Sequence, residues 1–356
     1  MIGAKLKSAR VAAGMSIRGL ADKVGLSHSA IHKYESDRDV PGSEIMIRLC
    51  RALGVKLGWL MRESSFSLSQ PAFRCKAVFG QKKRDAVVEK AREYLERYLA
   101  AEEFAAPDTA PFVRPVTIHD RDCRAEDAED AADKLRRAWG LGLDPVNSLL
   151  EFVESKGIKV VALDIDDEGF LGCSLFINDS LPVIIVSRKW PGDRQRFTVA
   201  HELGHLILGD SRRGREAERF ADSFAGAFLL PSEAVRSELG EKRSSFSVKE
   251  LHELKMRYGA SMQTWIRRAR DLDIISEPRF KSIMAVFSSR GWRKTEWGSR
   301  VEPERPQRLE RLVYKAFAEG IISESRAAEL LMVSINDFRA SVQPLIGGVL
   351  GAEARC

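Results

Sequence analysis

The stretch RFTVAHELGHLILGD, residues 196–210, constrains this chain more than any other. It is apolar enough to be a buried helix, yet His201, Glu202 and His205 sit in its middle. Burying ionisable groups costs free energy unless partners compensate them. His201 and His205 are four residues apart, so on a helix their rings project from one face, one turn apart. Two imidazoles placed so can both reach one metal ion at ~2.0–2.1 Å. Glu202 is displaced by ~100° around the helix from His201, which puts it beside such an ion and not on it. From there its carboxylate can take a proton from an attacking water, which is the physical content of the H-E-x-x-H pattern. The competing reading is a core helix carrying two hydrogen-bonded histidines.

A hydrolytic metal site needs a third protein ligand and an open position. Downstream, EAERFADSFAGAFLLP (216–231) reads as an amphipathic helix. Glu218 and Asp222 fall on one face, with Ala221 and Ala225 small beside them. Glu218 is the candidate third ligand. Asp222 is the candidate that holds a ligating histidine through its other ring N–H. Glu216 competes with Glu218 but is offset from that face and has Phe220 one turn on. Zn2+ suits the donor set, and Mn2+ or Fe2+ are compatible with two histidines and a carboxylate. Tyr258, His252 and Arg196 are unranked candidates for stabilising an oxyanion.

The net charge of +6 is placed at one end. Residues 1–62 hold 11 Lys and Arg against 5 Asp and Glu, whereas the remainder carries 46 of each. A basic segment of this kind points to an acidic polymer as partner. Within it, MSIRGLADKVGLSHSAIHKYESDRDVP (15–41) reads as helix, tight turn, helix. Leu20, Val24, Leu26, Ile31 and Tyr34 supply a shared apolar face, and Ala21 is small at the crossing. Gly25 suits a turn that needs positive φ, and Ser27 suits an N-cap. A preceding helix (Ile2, Leu6, Ala9, Val11) and a following one (Ile45, Ile47, Leu49, Leu53) complete a small bundle. A second helix of this type enters the major groove by its N-terminal end. His28, Ser29, His32 and Lys33 face outward there, with Arg18 and Arg38 as phosphate contacts. A solvated polar face is the plainer alternative for each.

Between these regions, SSFSLSQPAF reads as a linker, and residues 82–104 as a helix with Val87, Ala91, Tyr94, Leu95 and Tyr98 near heptad spacing. That helix could pair with a second copy of itself or pack on its own chain, the latter being favoured. From 126 onward two helices, then strands IKVVALDID, GFLGCSLFIND and LPVIIVS, lead into the histidine-bearing helix. Residues 277–356 begin with a polar crossing that carries Trp292 and Trp297. A three-helix unit follows, with a faint second helix-turn-helix pattern, and then a flexible tail, LIGGVLGAEARC. The five cysteines (Cys50, Cys75, Cys123, Cys173, Cys356) are scattered and form no CxxC pair, so they suggest neither a disulfide framework nor a thiolate zinc site. No run approaches the ~20 apolar residues of a membrane helix. The absence of a signal-peptide pattern leads to an expectation of a cytoplasmic protein.

Residues 2–62, including YES at the end of the second helix and Pro41 beyond it, resemble the Xre/Cro-type helix-turn-helix repressors. RQRFTVAHELGHLILG followed by E-x-x-A-D-x-F-A-x-x-F-L-L-P resembles the ImmA/IrrE metallopeptidases, and this likeness extends over 128–276. The resemblance implies that His201, His205 and Glu218 bind zinc and that Glu202 is the general base. The chain departs from it in carrying Asp222 where that family often has Asn. It also implies double-stranded operator DNA as a partner, a homodimer, and cleavage of a partner repressor or of the chain itself in stress, phage or mobile-element circuits. The expected fold is multidomain and mainly α: a helix-turn-helix bundle (1–66), a linker and helical segment (67–125), an α+β zincin-like domain with a small sheet (126–276), and a helical C-terminal region (277–356). Two other readings stand beside the endopeptidase. One is a repressor or antitoxin whose zinc domain senses or binds without cutting. The other is an interaction module in which H-E-x-x-H is structural.

Overall fold

A computed structural model describes residues 2–61, 66–69, 71–75, 79–106, 112–114, 127–208 and 214–342, with the backbone alone for 72–75. The chain divides into two units, each assembled from pieces distant in sequence: 1–66 with 80–110 and 306–356, and 67–79 with 111–305.

The first unit begins with α1 (Ile2–Ala12), α2 (Ile17–Val24), α3 (His28–Glu35), α4 (Ser43–Leu53) and the short α5 (Leu57–Leu60). Ser16 and Ser27 cap α2 and α3 by accepting from Gly19 N and Ala30 N. Gly25 closes α2 in the left-handed region, with φ 65°. Leu6, Leu20, Ile31 and Leu49 are fully buried in one core. Two assignments change. Val11 is only half-buried, and Ile47 faces outward while Met46 and Cys50 turn inward. The reason is the 3.6-residue period, which puts 46, 49, 50 and 53 on one stripe and leaves 47 off it.

The long helix α6 (Gln81–Ala105) belongs to this unit, as do α15 (Arg308–Ala318) and α16 (Glu324–Leu330). Its apolar stripe is covered by its own chain. Lys5 and Ser8 of α1 meet Glu96 and Glu89 on it. Tyr98, Ala101 and Ala105 pack with Leu309, Val313, Ala316 and Phe338. Residues 335–342 are helical and complete the C-terminal helices. The tail LIGGVLGAEARC lies outside the described residues, as do Cys123 and Cys356. Cys50 and Cys173 are buried.

The second unit holds α7 (Asp127–Ala138), α8 (Leu149–Ser155), β2 (Lys159–Leu163), β3 (Phe170–Ile177), β4 (Leu181–Ser187), α9 (Gly192–Leu208), α10 (Arg215–Leu229), α11 (Ser232–Leu239), α12 (Val248–Tyr258), α13 (Met262–Asp271) and α14 (Glu277–Ser289). A four-residue strand β1 (Ala72–Cys75) joins it from the stretch expected to be a linker. The sheet order is β1-β3-β4-β2, with β2 parallel to β4 and the other pairs antiparallel. Asn178 and Asp179 turn the β3–β4 hairpin at φ 48° and 55°, a conformation these residue types tolerate. The helix α9 lies on the sheet so closely that a Cβ on Gly172 would meet Thr198 Cγ2 at 2.5 Å. One apolar core runs through the unit, from Leu135 and Val153 through Phe224 and Phe228 to Trp265 and Phe287.

The polar crossing expected to begin the C-terminal region belongs here, up to Arg305. Glu304 accepts from Leu150 N at 2.8 Å, so it caps the start of α8, and it pairs with the buried Arg196. Gln195 exchanges two hydrogen bonds with the Glu304 backbone. Lys255 sits between Asp193 and Glu296, all three nearly buried. These contacts fasten the start of α9, the helix that carries the histidines.

Candidate metal centre and outward helix of the bundle

The position of α9 follows from what surrounds it. Its sheet-facing side is Thr198, Glu202 and their neighbours, and its other side meets α10. Gly204 lies at that second crossing. A Cβ there would stand 3.1 Å from both Ala221 Cα and Phe224 Cδ1. With glycine at 204 facing alanine at 221, the backbones approach closely, and α10 brings Glu218 and Asp222 over the two imidazoles.

The resulting cluster is tight. His201 Nε2 and His205 Nε2 are 3.1 Å apart. Glu218 sets one carboxylate oxygen 3.4 Å from His201 Nε2 and the other 3.3 Å from His205 Nε2. Two ligands of a tetrahedral ion at ~2.0–2.1 Å lie ~3.3–3.4 Å from each other, so these separations fit one metal ion. Among the described residues, this is the group of His, Cys, Asp and Glu side chains that could hold one. Asp222 Oδ1 accepts from His201 Nδ1 at 2.9 Å. That bond puts the ring proton on Nδ1 and leaves the Nε2 lone pair facing the cluster. The neighbouring imidazole of His201, and then that of His205, hold the Glu218 carboxyl well below the usual carboxylate range, so it is ionised, as a ligand must be. Glu216 makes no contact with the imidazoles in this cluster.

Burial grades across the site. His201 and Glu202 are fully buried, His205 nearly so, and the Glu218 and Asp222 side chains are about half exposed at 54% and 46%. The cluster therefore opens toward solvent on the α10 side. Glu202 lies ~100° around α9 from His201, on the side that meets the sheet, where Ser174 Oγ of β3 donates to its Oε2 at 2.8 Å. Sequence reasoning did not single out Ser174. The one available signal was a hydroxyl inside the otherwise apolar run GCSLFI. The three oxyanion candidates are engaged elsewhere. Arg196 binds Glu304 and the Val146 and Asn147 carbonyls. Tyr258 donates to Glu238, and His252 accepts from Ser299 N and meets the Trp297 ring.

In the other unit, α3 buries Ile31 and Tyr34 and exposes His28, Ser29, His32 and Lys33. Arg18, at the start of α2, and Arg38, after α3, are exposed as well. Glu35 of the YES stretch is not part of that face. It takes a bidentate pair of bonds from Arg10 at 2.6 and 2.9 Å and ties α3 to α1.

A bundle of α1–α5 with a capped, outward-facing α3 and a sheet-backed H-E-x-x-H helix define two classes: a helix-turn-helix domain and a metallopeptidase-type domain. Family models agree. Residues 6–60 match the helix-turn-helix family HTH_3, and residues 153–270 match the IrrE N-terminal-like domain, Peptidase_M78. The chain is thus a fusion of an Xre-type helix-turn-helix with an IrrE/ImmA-like peptidase-family domain. No curated protein matches the chain. Among the described residues, no helix is long and apolar enough to cross a membrane.

Proposed function

We propose that the chain is a DNA-binding transcriptional regulator whose second unit is a zinc-dependent endopeptidase acting on a partner regulator or on the chain itself. The convergence of His201, His205 and Glu218, backed by Asp222 and flanked by Glu202, carries this reading. The donor set of two imidazoles and one carboxylate is that of a hydrolytic zinc site. A divalent ion bound there supplies Lewis acidity, which acidifies water and polarises a peptide carbonyl. Asp222 fixes the His201 tautomer, and Glu218, ionised, balances the charge. Glu202 accepts the proton of the attacking water and returns it to the departing amine as the C–N bond breaks. Ser174 holds one oxygen of that carboxylate in place.

His28, Ser29, His32 and Lys33 read an operator in duplex DNA, with Arg18 and Arg38 on phosphates. A homodimer on paired half-sites, cytoplasmic location and a stress, phage or mobile-element circuit complete the reading, on the resemblance alone. The test uses purified wild type and Glu202→Gln. Elemental analysis should give one zinc per chain in both. Only wild type should cut peptides in a mass-spectrometric library digest, with the variant slower by ~100-fold or more. Absence of metal from both proteins overturns the mechanism and leaves a DNA-binding regulator with an interaction domain.

A further inference from the structure

The outer edge of β3 is occupied by the chain itself, close to the catalytic glutamate. Ala72 stands opposite Ser174 in the β1–β3 register, and Ser174 is the residue that bonds Glu202. Phe73 stands opposite Cys173, and Arg74 opposite Gly172, where α9 presses on the sheet. The pairing continues upstream. Ser69 N donates to Phe176 O, Phe176 N donates to Ser69 Oγ, and Asn178 N donates to Ser67 O, at 2.8, 2.8 and 3.0 Å. Thus residues 67–69 and 72–75 follow β3 as an extended antiparallel peptide, across a single strand spacing from the residue that touches Glu202.

An exposed sheet edge binds extended peptides through main-chain hydrogen bonds, with little demand on sequence. Here that edge is taken by a short strand with weak credentials. β1 has four residues, and its ladder slips register between Arg74 and Cys75. On its other side β3 holds β4 through six unbroken register positions, 172 to 177. Short edge strands with few ladder bonds open at lower cost than the sheet they border.

We propose that residues 67–69 and 72–75 form an exchangeable strand: they close the peptide-binding edge of β3 beside Glu202, and an extended segment of a partner protein binds there only when they leave. The incoming segment resembles the one it replaces, extended and weakly charged, with a small residue opposite Ser174. This deepens the endopeptidase reading and rests on it, because it makes the conditional step of that activity the release of β1.

The test uses the full chain in the Glu202→Gln background, where bound peptide is not consumed. The probe is a fluorescein-labelled peptide FSLSQPAFR, the sequence of residues 66–74. One variant replaces 67–75 by glycine and serine at equal length. A second carries Phe73→Cys with Cys75→Ser. There the new thiol lies opposite Cys173, within disulfide reach, so oxidation locks the strand and reductant frees it. Anisotropy should show the replaced-strand variant binding at least ~10-fold more tightly than the parent, because only the open fraction of the parent is competent. Oxidation of the second variant should abolish binding, and reductant should restore it. Equal binding by parent and replaced-strand variant overturns the proposal, since the peptide then docks elsewhere, for instance on the outer edge of β1. So does equal binding by locked and released forms, which decides the matter even if the replaced-strand variant does not fold. Zinc content and digestion by the Glu202 protein are read separately. Strand exchange without zinc or cleavage removes the peptidase reading and leaves a peptide-binding edge.

Discussion

The geometry of the metal cluster depends on how closely α9 and α10 approach, and Gly204 tests that dependence. In Gly204→Ala the new methyl would start 3.1 Å from Ala221 Cα and Phe224 Cδ1 and 3.4 Å from Ala221 Cβ. Carbon atoms settle at ~3.5–4.0 Å, so α10 must yield by ~0.4 Å or more, because Ala221 Cα is backbone and cannot rotate away. Two stability terms oppose. Alanine gains up to ~1 kcal/mol over glycine inside a helix, and overpacking costs ~1–3 kcal/mol. The metal-free protein should therefore lose ~0–2 kcal/mol, a fall in melting temperature of at most ~8 °C. The ligand set has less tolerance. Metal sites hold their distances within ~0.2 Å, and Glu218 rides on the helix that moves. Zinc affinity should fall ~10-fold, which is ~1.4 kcal/mol. Competition against a chromophoric chelator measures the affinity, and thermal melts of metal-free and zinc-loaded protein measure the stability. Wild-type zinc affinity in the variant refutes the claim that the Gly204 crossing places Glu218.

Asp222→Ala should weaken zinc ~10–100-fold by releasing the His201 ring, while Asp222→Asn, whose amide oxygen still accepts from Nδ1, should lose less; the same chelator competition reads both. Arg18→Ala and Arg38→Ala should weaken DNA binding on every sequence and lower the salt slope by ~1 each, whereas His32→Ala should change sequence preference; mobility shifts at several salt concentrations separate the two. Burial, with the nearby Glu129 second, raises the Asp133 carboxyl above its ordinary value. A raised carboxyl favours the fold while protonated, and that stability is lost as pH rises through the folded value. Asp133→Asn should accordingly melt higher than wild type at pH 7.5, with a smaller gap at pH 4, and an equal gap at both counts against a desolvated carboxyl.

The metal cluster was legible because its parts obey short periods. His201 and His205 share a face by i,i+4 spacing, and Glu218 and Asp222 repeat that spacing on the next helix. The helix-turn-helix was legible from Ser27, Gly25 and the apolar stripe, although Ile47 was misplaced where a run of apolar residues blurred the period. What escaped has no period. Ser174 meets Glu202 across 28 residues. Glu304 caps α8 from 154 residues away. The strand β1 was hidden because Ser67, Ser69 and Pro71 read as a loop, and only the partner edge makes four residues a strand. The bond from Arg10 to Glu35 spans 25 residues and likewise has no period.

The order in which the chain visits its two units bears on how a peptidase could regulate DNA binding here. The bundle α1–α5 is followed by 67–79 in the second unit, then by α6 back in the first, then by 111–305 in the second, and finally by α15 and α16 in the first. The DNA-facing helices are therefore not a bead on a single tether. Lys5–Glu96, Ser8–Glu89 and the Lys56 bonds to the Ala328 and Val333 carbonyls hold α1–α5 to helices that come later in the chain. A single cut between 62 and 80 leaves those contacts in place, so it would nick the chain without freeing the bundle. Severing a tether is thus a poor way for this molecule to silence its own DNA binding.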